Sequence, residues 1–180
     1  MGHTLVAVFS EESRYKLREL LKKAEAKDTC KIPFGRGCDR ASADLVLKHH
    51  ITLFHWKKEE DSVYLRRLNS LKNISPCTIT AIKPVCLVDK ETESYVVCLE
   101  ITASREFYKT MQSVGQCLRK SPSNFLHITL DATKNASKAE HLIKKLQAVK
   151  CFPLELDIDG LELYKIWKPT KLIKSYPVCR

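Results

Sequence analysis

Residues 47–56 read Leu47-Lys48-His49-His50-Ile51-Thr52-Leu53-Phe54-His55-Trp56. The run is rich in β-branched, leucine and aromatic residues, the composition of a strand. Side chains two apart on a strand share a face, so His50 and Thr52 project together while Ile51 and Leu53 point the other way. The same alternation carries Phe54 and Trp56 onto the face of His50 and puts His49 and His55 on the reverse. The tetrapeptide His50-Ile51-Thr52-Leu53 returns as His127-Ile128-Thr129-Leu130 in a second strand-like run, Phe125 to Leu130. Each copy offers an imidazole and a hydroxyl on one face and buries an isoleucine and a leucine behind them. If the two strands lie near each other, both imidazoles face one centre.

Matching elements surround the two copies. Thr4 to Phe9 reads as a strand ended by Ser10, a helix cap, after which Leu17, Leu20, Leu21 and Ala24 repeat at helical spacing. Thr78 to Val88 and Ser94 to Ile101 read as strands, with Pro84 pushing the first toward an edge or a bulge. Ser104 caps a helix carrying Phe107, Met111, Val114 and Leu118 on one side. Each motif strand is followed by a further helix: one opens at the acidic run Glu59 to Asp61, the other at a Ser137-x-x-Glu140 capping box. Leu154, Leu156 and Ile158 alternate as a strand, Gly160 reads as a turn, Leu161 to Trp167 as another strand, and Leu172 to Val178 as a strand closing the sheet. The unit strand, serine-capped helix, motif strand, helix thus occurs twice. The first copy is longer by a glycine-bearing basic loop, Cys30 to Ala43, a candidate lid or phosphate contact in which Arg36 is a candidate substrate-binding residue.

A chain of 180 residues with 44% hydrophobic content is long enough for one domain with a buried core. Lysine and arginine total 31 against 21 acidic residues, a net charge of +10 that favours polyanionic partners. The eight cysteines form no Cys-x-x-Cys pair and no zinc-ligand spacing, and several sit in apolar runs, which suits reduced thiols in a cytoplasmic setting. The apolar run Leu5 to Phe9 is too short for a signal-peptide core, and no stretch approaches membrane-spanning length.

The two His-x-Thr-Leu motifs, with the order of elements around them, resemble the 2H phosphoesterase family, the group that includes the bacterial 2′-5′ RNA ligase-like proteins. The resemblance spans most of the chain. Departures follow each motif: Phe54-His55-Trp56 where many members have an aromatic, a leucine and a glycine, and Asp131 where small or apolar residues are common. These bear on the substrate more than on the chemistry.

The fold expected is α+β over residues 1–180: a bilobal, duplicated domain in which two mainly antiparallel sheets form a central groove, with helices outside. The activity implied by the resemblance is a phosphodiesterase acting on RNA-type substrates, either 2′,3′-cyclic phosphates or 2′-5′ linkages. His50 and His127 would act as general acid and base, and Thr52 and Thr129 would hold the non-bridging oxygens. Imidazole titrates near neutrality, with an ordinary pKa of about 6.5, so one ring can be neutral while its partner is charged. Neither a metal nor a cofactor is required, and the expected partner is RNA or a small nucleotide bound by a monomer. Phe54, Trp56 and Phe125, with Tyr164 and Trp167 as weaker candidates, could stack a nucleobase. RNA end joining, cleavage of signalling oligonucleotides and non-catalytic binding of RNA ends remain as alternatives.

Overall fold

Three helices of this chain start where a short polar side chain can accept from the first unpaired backbone N–H groups. Ser10 Oγ accepts from the Ser13 amide at 3.2 Å and Ser104 Oγ from the Phe107 amide at 3.3 Å, as expected. The last helix differs: its cap is Asn135, whose Oδ1 accepts from the Lys138 amide at 3.0 Å. Asparagine caps as well as serine and comes first in the chain, which leaves Ser137 inside the helix rather than at its cap.

The computed structural model describes residues 2–26, 49–57, 61–69, 71, 74–90, 93–122, 125–166 and 171–178. In chain order the elements are β1 (Gly2–Phe9), α1 (Glu11–Lys23), β2 (His50–Lys57), α2 (Asp61–Leu68), β3 (Cys77–Asp89), β4 (Ser94–Ala103), α3 (Arg105–Leu118), β5 (His127–Thr133), α4 (Ala136–Ala148), β6 (Leu154–Ile166) and β7 (Lys171–Pro177). The basic loop with Arg36, and Trp167, lie outside the described residues. The order strand, capped helix, motif strand, helix occurs as β1-α1-β2-α2 and again as β4-α3-β5-α4.

The architecture is α+β, and its strands form one antiparallel seven-stranded sheet in the order β1-β2-β5-β4-β3-β6-β7, with β1 also paired to β6. In place of the two sheets expected, the strands form a single one, held together on two sides. On one side the link is β6, whose Leu154–Ile158 end pairs with β3 while its Ile158–Ile166 end pairs with β1. On the other side it is the single pairing Ile51↔Ile128 between β2 and β5. Pro84 lies beside a bulge between Ala81 and Lys83 and beyond the part of β3 that pairs with β6, where a residue with no N–H to donate leaves no ladder bond broken.

One face of the sheet receives the helices. Leu17, Leu20 and Leu21 of α1, Leu68 of α2, Phe107, Met111, Val114 and Leu118 of α3, and Leu146 of α4 form one core with Ile51, Leu53, Ile128 and Leu130. Each such side chain contributes about 1.5–3 kcal/mol when fully buried. The motif isoleucines and leucines thereby hold both motif strands down against the helices and leave the histidines to the opposite face. No helix among the described residues is long and apolar enough to cross a membrane.

Gly160 is not a turn. It sits inside the continuous strand β6, paired on one side with Val8 and on the other with Pro177. A Cβ there would lie 2.6 Å from the Tyr176 carbonyl oxygen, so glycine is needed for the close approach of β7. Gly160→Ala is expected to cost about 1–3 kcal/mol, as overpacking does, measured as a lower midpoint of denaturant unfolding. An unchanged midpoint would rule out the tight approach as a constraint.

Candidate active site

Residues directly opposite in an antiparallel pair point to the same face. Ile51 and Ile128 are opposite each other and both fully buried in the helix-covered core. Their neighbours His50, Thr52, His127 and Thr129 therefore all project from the other face. In this register His50 stands across from Thr129, and Thr52 from His127. The two histidines are diagonal neighbours, a placement that typically separates side-chain origins by about 7–8 Å. Two flexible rings at that spacing can bracket a single tetrahedral phosphorus.

Both motif strands are bulged at the same motif position. Opposite β1 the register passes from Val6↔Thr52 to Leu5↔Phe54 and skips Leu53. Opposite β4 it passes from Cys98↔Thr129 to Val97↔Asp131 and skips Leu130. A bulge re-aims the side chains that follow it. After Leu53, Phe54 and Trp56 swing onto the helix side, where both are buried in the core, with their rings stacked at 6.1 Å. Gly115 of α3 lies against the Phe54 ring, and glycine is needed there for the close approach of the Lys120 carbonyl oxygen, which would lie 2.8 Å from a Cβ. Phe54 and Trp56 are thus core residues and not groove aromatics, the reverse of the expectation. The same slip brings His55, expected on the reverse side, to the face of His50 and Thr52, where it is exposed and pairs with Thr4. Thr4 Oγ1 donates to the Phe54 carbonyl at 3.2 Å, anchoring the bulge. The signal was present in the sequence: polar and apolar residues alternate from His50 to Leu53, then Leu53-Phe54 breaks the phase. Asp131, just past the second bulge, likewise turns to the helix side, and its carboxylate lies 3.8 Å from Lys138 Nζ.

The first histidine is held by what precedes it. His49 is buried and has a left-handed backbone, with φ of 41°, so the strand starts abruptly at His50. A non-glycine residue in that region is uncommon and is sustained by its surroundings. His50 is itself only 7% exposed.

His127 has a defined tautomer. Its Nδ1 lies 3.2 Å from the Phe125 carbonyl oxygen, which can only accept, so Nδ1 carries the proton and Nε2 is left with its lone pair. Burial lowers its pKa below the ordinary 6.5, opposed in part by this hydrogen bond. Near pH 7 the ring is therefore a neutral base. A histidine whose folded pKa is lowered binds fewer protons than in the unfolded chain, so it adds stability above pH 6.5 and loses it as pH falls from there through the folded value. Titration of the His127 ring by NMR is expected to give a midpoint below 6.5; a midpoint above it would contradict the buried, neutral ring.

Phe125 stacks on the His127 ring with centroids 5.5 Å apart. Glu100 is the β4 partner of His127 and pairs with Lys83 at 3.3 Å. Tyr164 reaches the histidine face from β6, packed against Val6, with its hydroxyl donating to Glu162. It is 6% exposed and forms a wall rather than an open stacking platform. The motif residues and Phe125 are therefore brought together, with Tyr164 two strands away. A cavity of about 690 Å3 lies elsewhere, where the N-termini of α1 and α3 meet the start of β3. It is a poor anion site, because Ser10 and Ser104 already cap both helices and Glu11, Glu12, Glu106 and Asp157 line it.

No family model and no curated protein matches the chain. Solved structures do. TT0787 of Thermus thermophilus superposes with a TM-score of 0.60 at 14% identity, covering 99% of this chain and 98% of that one. Escherichia coli LigT complexed with ATP gives 0.59 at 15% identity, covering 99% and 98%, and LigT is also known in complex with 3′-AMP. Kluyveromyces marxianus Usb1 gives 0.53 at 10% identity, covering 98% and 97%, and is also known with uridine monophosphate. This chain therefore shares its fold with TT0787, LigT and Usb1, and with a further structure described as a phosphoesterase.

Proposed function

We propose that the chain is a phosphodiesterase acting on RNA-type substrates, opening 2′,3′-cyclic phosphates or cleaving 2′-5′ linkages with His50 and His127 as the acid–base pair. One observation carries the reading: the Ile51↔Ile128 pairing, which turns both imidazoles and both threonine hydroxyls to one face. His127, neutral with a free Nε2 lone pair, suits the base that takes a proton from the attacking oxygen. His50 then gives a proton to the departing oxygen, and the roles exchange in the reverse direction. Thr52 and Thr129 donate to the non-bridging oxygens, where negative charge accumulates. The scheme needs no metal, since two imidazoles supply both proton transfers. The net charge of +10 and the nucleotide complexes of structures sharing the fold support a nucleotide substrate.

The test is a panel of nucleoside 2′,3′-cyclic phosphates with 2′-5′ and 3′-5′ oligomers, assayed with and without chelator. Turnover that survives chelation, yielding one end-phosphate isomer, is expected; no turnover of any member would leave a nucleotide-binding module. Thr52→Val and Thr129→Val are each expected to lower kcat/KM by about 10- to 100-fold, because a hydrogen bond to a charged group is worth about 1.5–3 kcal/mol.

A further inference from the structure

We propose that Lys83 binds a second phosphate of the substrate, so that an oligonucleotide with its reacting phosphate between the two histidines runs from His127 over β4 and β3, away from β1 and β6. The proposal rests on the phosphodiesterase reading and adds to it the substrate's direction and minimum length. The register places one row of residues across the histidine face. Lys83 stands opposite Glu100, Glu100 opposite His127, His127 across from Thr52, Thr52 opposite Val6, and Val6 opposite Glu162. Glu100 sits between Leu99 and Ile101, and Glu162 between Leu161 and Leu163, all four buried in the helix-covered core. Both carboxylates therefore leave the sheet on the side of the histidines. The neighbouring row, through His50 and Thr129, ends in Gly160 beyond Val8 and in Val85 beyond Cys98, and carries no charge other than the imidazole's.

The two ends of the charged row offer an anion opposite receptions. At the β6 end stands the Glu162 carboxylate, accepting from the Tyr164 hydroxyl, and a phosphate approaching there is repelled. At the β3 end Lys83 holds Glu100 at 3.3 Å, with the lysine side chain 61% exposed and the glutamate 34%. The ammonium is thus the more open member of the pair. An exposed pair of this kind adds little to stability, which leaves the lysine able to exchange Glu100 for a phosphate oxygen. Strands lie about 4.8 Å apart, so Lys83 stands two strands, or roughly 10 Å, from His127. With Glu100 and His127 in between, its ammonium meets a phosphate one nucleotide beyond the reacting one.

The experiment is calorimetric titration of the full chain with 2′-deoxyadenosine 3′-monophosphate and with the deoxyadenosine dinucleotide that ends in a 3′-phosphate. Neither probe carries the 2′-hydroxyl needed for cleavage, and they differ by one nucleoside and one phosphate. Wild-type protein is expected to bind the dinucleotide more tightly. Lys83→Met should weaken dinucleotide binding by about three- to fivefold, as for an exposed ion pair, with the mononucleotide unchanged and Lys83→Arg retaining the wild-type affinity. The slope of log affinity against log salt should fall by about 0.7 in Lys83→Met, the value for one phosphate contact on a single strand. Glu100→Gln should tighten dinucleotide binding, because the phosphate no longer competes with a carboxylate for the ammonium; a merely structural pair would not give that sign. Dinucleotide affinity indifferent to Lys83→Met, an equal loss with both probes, or weaker dinucleotide binding in Glu100→Gln overturns the proposal. The two readings fail separately. Dinucleotide binding sensitive to Lys83 without turnover of any cyclic phosphate keeps the path and removes the phosphodiesterase. Turnover with dinucleotide binding indifferent to Lys83 does the opposite.

Discussion

Replacing His127 by alanine is expected to lower kcat on a nucleoside 2′,3′-cyclic phosphate by about 10²- to 10⁴-fold, the range that a positioned proton-transfer group supplies. His50→Ala should fall in the same range, and the double variant should be far less impaired than the product of the two. Once one imidazole is gone, the concerted transfer the other serves has already failed. Circular dichroism and the thermal midpoint check that each variant stays folded. The wild-type rate should follow a bell in pH whose acidic limb reflects the lowered pKa of His127. Full turnover in either single variant would end the two-imidazole scheme and leave the shared face as a binding surface.

The second large effect concerns stability. Trp56 is 1% exposed, with its ring stacked on Phe54 in the core beneath β2. Trp56→Ala leaves a cavity there and is expected to cost about 3–5 kcal/mol. In a chain of 180 residues each kcal/mol moves the midpoint by about 2–4 °C, so a drop of roughly 6–20 °C should appear in a thermal melt. KM for substrate, measured well below that midpoint, should stay near wild type. A raised KM at an unchanged midpoint is what a groove-facing stacking residue would give, and it would contradict the bulge at Leu53.

These two variants separate what local pattern reveals from what it hides. The alternation His50-Ile51-Thr52-Leu53 already separates the residues that share the polar face from those that anchor the strand, because strand geometry alone sends them to opposite faces. Three residues further on the same logic fails. Trp56 and His55 exchange faces because Leu53 is an extra residue opposite β1, and a one-residue slip inverts every side chain after it. The Leu53-Phe54 doublet marks the slip, yet only a partner strand turns it into a bulge. Gly160 failed in a similar way: glycine inside an apolar run reads as a turn until a neighbouring backbone, here Tyr176, is found pressed against it. Phe125 was legible as a neighbour of His127, because residues two apart in an extended run share a face.

The sequence by itself determined the order of elements from β1 to α4, the serine caps of α1 and α3, and the alternation that sends the histidine and threonine of each motif to one face, all of which depend on residues within a few positions of one another. Tertiary structure decided that β2 and β5 meet at Ile51 and Ile128, that β6 ties both halves into one sheet, and which aromatics face the histidines. Those outcomes depend on register between strands far apart in the chain, and register is set by how the whole core closes, which no local window contains.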